Sequence, residues 1–270
     1  MKTWLLGAAF LVLLNGALFA EAPATRNCRL LMDPASGEIL LREGPCDVRR
    51  SPCSTFKVPL ALMGFDAGVL KDAHHPEWDY LPEYPSNRPE EQIRINPTSW
   101  EAISVVWYSQ KLTRALGMKT FQKYVDQFQY GNRDLSGAPG QNNGLTNAWL
   151  QTSLLISPDE QAVFVRKLLQ RKLGVSSHAY EMTEAVLPQF PAEDGWTLTG
   201  KTGTGFQEKA DGTPDRKKQL GWFIGWATKG DRRVLFVEFI MDETPQETYA
   251  GPRARAALIK ALPGLLAKKR

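Results

Sequence analysis

Apolar residues in this chain are spaced in two ways, and the two spacings occupy different stretches. Short runs, Arg29-Leu-Leu-Met-Asp33 and Glu38-Ile-Leu-Leu-Arg42, flank Pro34-Ala-Ser-Gly37, whose turn residues close them into a hairpin. Three longer runs rich in β-branched and aromatic residues lie toward the other end, at 197–203, 220–227 and 234–240. They read as strands, the first two joined by a polar hairpin loop over 207–219. Between these ends the period is helical. Helices are expected from Ser54 to about 64–68, over 100–116 with Gly117 as a stop, over 119–128, over 157–173, over 178–187 before Pro188, and over 253–266. Ser157 and Glu160 have the spacing of a capping box at the fourth of these. Residues 74–97 are rich in Pro, Tyr and Trp without a period, and 136–144 are rich in Gly and Asn; both read as loops. Strands at both ends with helices between them predict an α+β fold. An antiparallel sheet would draw on roughly 21–57 and 190–270, with a helical part over roughly 58–189.

Residues 1–20 change the picture of where the protein works. Lys2 precedes an almost wholly apolar stretch from Trp4 to Leu14, closed by Ala17-Leu-Phe-Ala20. That is the pattern of a secretory signal peptide cleaved after Ala20 or Ala22, and it is short for a membrane span. The chain is 43% hydrophobic over 270 residues, enough for a large core in one domain. Its 33 basic and 29 acidic side chains leave a formal charge of +4, with the basic residues scattered. Nucleic acid is therefore not an expected partner, and no membrane contact is expected once the signal is removed. Export permits a disulfide among Cys28, Cys46 and Cys53, either Cys28–Cys46 or Cys46–Cys53. Three His and no Cys-x-x-Cys offer no metal set.

The candidate chemistry begins at Ser54-Thr-Phe-Lys57. Residues three apart on a helix share a face, with roughly 5–6 Å between their Cβ atoms. A serine hydroxyl becomes an effective nucleophile when a base lies within hydrogen-bond reach. Lys57 can be that base only when neutral, and its neighbours Phe56, Val58, Leu60 and Leu62 predict a setting dry enough to depress its pKa.

Further along stand Ser104-Val-Val106, Tyr130-Gly-Asn132, Lys201-Thr-Gly203 and Trp222-Phe-Ile-Gly225, in that order. With Ser54-x-x-Lys57 these motifs make the mature chain similar, over essentially its whole length, to the class D (oxacillinase-type) serine β-lactamases. The resemblance implies a penicillin-binding/β-lactamase-like fold with the site in a cleft between sheet and helices. It implies hydrolysis of a small-molecule β-lactam through a serine acyl-enzyme in the periplasm. By the same resemblance Ser54 is the nucleophile, its own N–H and that of Thr204 are the oxyanion donors, and Ser104 relays a proton to the leaving nitrogen. Lys201 and Thr202 meet the substrate carboxylate together with Arg253, or with Arg255 in its place, and Gly203 is a further substrate-binding residue. Lys57 acts in both acylation and deacylation as an N-carboxylated base, with carbon dioxide as covalent modifier and no metal. Val106 and the indole N–H of Trp149 support that group, whereas Tyr130-Gly-Asn132 is structural. One departure is Thr204-Gly205, where many relatives carry an aromatic residue. Two other readings share the Ser-x-x-Lys chemistry, an acylated penicillin sensor and a D-alanyl-D-alanine peptidase. The first would need a membrane-spanning segment beyond the signal, and the second an amide side chain where Val106 stands.

Overall fold

The computed structural model describes residues 26–86, 88–209, 211 and 213–267. The signal-peptide reading of residues 1–20 lies outside the described residues. The expected hairpin is present as β1 (Cys28–Met32) and β2 (Ile39–Glu43), and the late strands are β4 (Thr197–Glu208), β5 (Pro214–Lys229) and β6 (Arg232–Met241). A short strand that the sequence did not announce, β3 (Gln189–Pro191), completes a six-stranded antiparallel sheet in the order β2-β1-β6-β5-β4-β3. Both ends of the chain thus meet in the middle of the sheet, where β1 pairs with β6 from Cys28↔Phe239 to Met32↔Leu235.

Two faces of this sheet are covered. On one lies α7 (Ala250–Ala267), which buries Ala254, Leu258, Leu262 and Leu266 against Leu31, Leu198, Phe223 and Phe236. Against the other packs the helical part: α1 (Lys57–Asp66), α2 (Pro97–Ile103), α3 (Val106–Phe128), α4 (Gly144–Asn147), α5 (Pro158–Leu169) and α6 (Ser177–Val186). Ser157 and Glu160 do form a capping box at the start of α5, each side chain accepting the other's backbone N–H.

Three expectations need correction. The helix expected over 100–116 starts earlier, at Pro97, because Asn96 caps it with Ser99, and it breaks at Ser104. Gly117 bends α3 instead of ending it: its φ of 74° and ψ of 154° suit a residue without Cβ, and helix resumes on both sides. Much of the polar loop expected over 207–219 is strand, since β4 and β5 stay paired to Glu208↔Pro214 with a bulge after Phe206. Of the two disulfides left open, Cys28–Cys46 is formed, and Cys53 is a free, buried thiol.

Candidate active site

Ser54 sits in a 3-10 turn, Cys53–Phe56, that feeds directly into α1. The first N–H groups of such a turn lack helical acceptors, so the Ser54 N–H is available as a donor. Cys53 enters the turn at φ 49°, a left-handed value that non-glycine residues seldom take and that active sites often hold in place. The turn is fixed from below by Thr55, whose hydroxyl donates to Pro52 O at 2.7 Å and accepts from Gln161 Nε2 at 3.1 Å. Tyr130 closes that chain by donating to Gln161 Oε1 at 3.4 Å, with its ring 5.2 Å from that of Phe56. The Tyr130-Gly-Asn132 motif is thus packing, as expected: at Gly131 a Cβ would meet Leu155 O at 2.0 Å, and Asn132 donates to Ser153 O.

From the other side β4 presses against the same turn. A Cβ on Gly203 would come within 2.9 Å of Pro52 O, and one on Gly205 within 2.8 Å of Cys53 Sγ. Glycine at these two places lets strand and nucleophile turn touch. Because β3 pairs only with Thr197–Thr199, the rest of β4 presents an open edge to the cleft. Gly200 N–H and Phe206 N–H both leave the sheet on that edge, for Pro188 O and the Gln151 side chain. Strand geometry repeats every two residues, so the N–H groups of Thr202 and Thr204 face the same way. Thr204 also accepts the N–H of Gly251 on its hydroxyl, which ties β4 to the start of α7.

Two lysine–serine pairs converge here. Lys57 Nζ and Ser54 Oγ are 3.3 Å apart, and Lys201 donates to Ser104 Oγ at 2.9 Å and to Thr202 O at 3.2 Å. The serines and Thr202 are half-buried, whereas Lys57 and Lys201 are almost wholly buried. Ser104 is held at φ 66° as the C-cap of α2, and Val106 begins α3, partly buried. Burial disfavours charge on Lys57 and brings its pKa to about 7, with the Lys201 charge pushing the same way and Glu101 opposing. Burial also lowers Lys201, to about 8, against the pull of Glu101. The Cys53 thiol is pushed up to about 12 by burial, so it is neutral beside the nucleophile.

Trp149 stacks on Phe56 at 5.5 Å, its ring fully buried, and its Nε1–H has no partner among the described residues. A buried donor left unsatisfied is uncommon and costly. A buried N–H of this kind suits a small anion. Sequence reasoning missed Glu101, wholly buried, whose charge bears on both lysines and whose carboxyl is raised to about 7 by burial. No sequence signal marked it: the packing of α2 buries Pro97, Trp100 and Glu101 together, a setting in which an acidic residue is out of place.

Arg253, the first of the two cations the resemblance offers for the substrate carboxylate, is engaged within the protein: its Nη2 contacts both oxygens of buried Asp242 at 2.8 Å and its Nε donates to Thr248 O. Arg255 instead lies 4.4 Å over the Phe190 ring, and its charge acts on Lys201.

Residues 27–263 match the penicillin-binding protein transpeptidase domain family. The chain is 42% identical over 246 residues to β-lactamase OXA-9 of Klebsiella pneumoniae, covering 91% of this chain and 90% of that one. It is 36% identical over 220 residues to β-lactamase OXA-1 of Escherichia coli, covering 79% and 75%. Among solved structures it is similar to the class D β-lactamase OXA-427, at 46% identity and a TM-score of 0.83 over 90% of this chain and 99% of that one.

Proposed function

The chain belongs to the class D β-lactamases, within the penicillin-binding transpeptidase family, and from that premise we propose that it hydrolyses β-lactam antibiotics through an acyl-enzyme on Ser54 after export to the periplasm. The observation that carries this reading is the convergence of two lysine–serine pairs, Lys57 with Ser54 and Lys201 with Ser104, on one open strand edge.

Ser54 Oγ attacks the lactam carbonyl, giving its proton toward the Lys57 side chain 3.3 Å away. The N–H groups of Ser54 and Thr204 face the oxygen that gains charge, from a turn and a strand already locked together and needing no rearrangement. Lys201 and Thr202 hold the substrate carboxylate, with Arg255 the better-placed second cation. Through its contact with Lys201, Ser104 passes a proton to the departing nitrogen. Lys57 and the Trp149 N–H would hold a carbamate formed from carbon dioxide, which supplies an anionic oxygen base able to activate water for deacylation. Val106, apolar at the start of α3, keeps a competing charge away from it.

The test is steady-state hydrolysis of a chromogenic cephalosporin and a penicillin by the purified mature protein, in degassed buffer with a bicarbonate titration. Turnover that rises with bicarbonate is expected, and Trp149→Phe should weaken the rise about five- to 150-fold, since an unsatisfied buried partner costs about 1–3 kcal/mol. A burst of one acylation without turnover would instead mark a penicillin sensor. Rates insensitive to bicarbonate would leave the free amine as the base.

A further inference from the structure

Glu101 has no role in the steps above. It is fully buried on α2, one helical turn before Ser104, and neither carboxyl oxygen has a hydrogen-bond partner among the described residues. A carboxyl in such a place disfavours folding unless something uses it. Its neighbours by charge are Lys57 from α1 and Lys201 from β4. Further out, Glu91 and Cys53 bear on Lys57, and Arg255 of α7 and Arg88 bear on Lys201. Glu91 is already taken, by Arg88 at 2.6 Å and Ser86 at 2.7 Å, and the Cys53 thiol is neutral. Glu101 is therefore the carboxyl near the lysine pair with both oxygens unengaged, as the Trp149 N–H is the unengaged donor.

We propose that Glu101 accepts the proton released when Lys57 adds carbon dioxide and keeps it while the carbamate is present. The inference rests on the carbamate reading of Lys57. In the step, the lone pair of neutral Lys57 Nζ forms the N–C bond and one C=O electron pair of carbon dioxide moves onto its oxygen. The N–H proton so released goes to a Glu101 oxygen. Lys57-NH₂, carbon dioxide and Glu101-COO⁻ become Lys57-NH-COO⁻ and Glu101-COOH, with nothing gained or lost. Before and after, cationic Lys201 faces one anion, so a dry pocket never has to hold two anions side by side. Once protonated, Glu101 has an O–H to donate, which a carboxylate lacks. Both unengaged groups, this one and Trp149 Nε1, then suit the same anion. Burial supports the exchange, because it makes the neutral forms of Lys57 and Glu101 accessible over the same pH range.

The proton count separates this from a merely structural glutamate. Full-length mature protein is equilibrated with ¹³C-labelled carbon dioxide, and the carbamate carbon is followed by NMR from about pH 7.5 to 8.5, with affinity expressed against dissolved carbon dioxide. In the wild type no net proton leaves the pocket, so the affinity should stay within about twofold. In Glu101→Gln, with Lys201→Arg introduced into both proteins so that the neighbouring cation stays charged across this range and cannot take up the proton, the proton must go to solvent, and the affinity should rise about tenfold per pH unit, one proton's worth of linkage. Glu101→Met serves as a second variant, with thermal melting in the same buffers to report on folding. Equal slopes in wild type and variants overturn the inference and leave the carbamate standing. Absence of a carbamate signal in the wild type overturns both. Should neither variant fold, the wild-type slope alone decides, since a tenfold rise per unit rules Glu101 out as acceptor.

Discussion

The two faces of the sheet are built to different rules. Beneath α7 the buried cluster is apolar, Leu31, Leu198, Phe223, Phe236, Ala254, Leu258, Leu262 and Leu266 among its members, and the buried carboxylates of this side, Glu238 and Asp242, are each paired with an arginine. On the helical face the core is larger but holds Lys57, Glu101, Gln161 and the unsatisfied Trp149 N–H among its aromatics. Burying apolar area stabilises a fold at roughly 25 cal/mol per Å², while burying unpaired polar groups works against it. One face accordingly holds the protein together, and the other gives up stability to keep two lysines and a carboxyl poised. Substitutions on the two faces should therefore separate activity from stability.

The largest expected effect is Ser54→Ala. It should lower β-lactam turnover by about 10³-fold or more and abolish covalent labelling by penicillin, with a melting temperature close to wild type. Persistence of a one-penicillin mass shift on the Ala protein would refute the nucleophile assignment.

Next comes a pair with opposite signs. Leu258→Ala, beneath α7, should cost about 2–5 kcal/mol by leaving a cavity, with the pH profile of the remaining activity unchanged. Lys57→Met on the helical face should inactivate the enzyme yet stabilise it in degassed buffer by about 1–4 kcal/mol. The sign follows from linkage. The unfolded lysine titrates near the ordinary value of 10.5 and the folded one near 7, so between them the unfolded chain binds the extra proton. Lys57 therefore costs the wild type most at and below pH 7, and the cost fades as pH rises to 10.5. The advantage of Lys57→Met should shrink over that window in denaturant titrations. A constant or growing advantage would mean that Lys57 is not buried neutral.

A smaller effect follows from the same titration. With the proton-accepting form of Lys57 lost below about 7, kcat/KM should fall about tenfold per pH unit on the acid side of that value. A profile level down to pH 5 would point to another base.

The faces also differ in how far they could be read from the chain. Ser54, Lys57, Ser104 and Lys201 were legible because each sits in a short motif, and helix and strand periods fix which way its neighbours point. The fold class was legible because strand-like and helical spacings are segregated along the chain. Glu101 was not, since an acidic residue near a helix start ordinarily reads as solvated. Only the position of α2, which buries Pro97, Trp100 and Glu101 together, reverses that reading. The break at Ser104 was hidden for a related reason: a left-handed serine carries no sequence mark, and tertiary contacts such as the Lys201 hydrogen bond hold it there. On the α7 face, Arg253 and Arg255 stand two residues apart on one helix, so sequence alone could not say which faces the cleft.

That last ambiguity gives the finest test. Arg253 is bound to Asp242, whose side chain is only 4% exposed and which also accepts Gln219 N–H at 3.0 Å. Removing the guanidinium strips a charge-assisted bond from a buried carboxylate, so Arg253→Ala should cost about 1.5–3 kcal/mol of stability while KM for a penicillin stays within about twofold. Arg255 makes no ion pair among the described residues; it rests on Phe190 and its charge lowers the pKa of Lys201. Arg255→Ala should therefore leave stability nearly unchanged and raise KM about three- to tenfold, the modest worth of a partly solvated ionic contact. Its kcat should hold, because a carboxylate is gripped equally in ground and transition states. It should also let Lys201 keep its proton to higher pH, since a repelling cation has gone. Were Arg253→Ala to raise KM with no loss of melting temperature, the carboxylate would belong to Arg253 and the Asp242 contact would open when substrate binds.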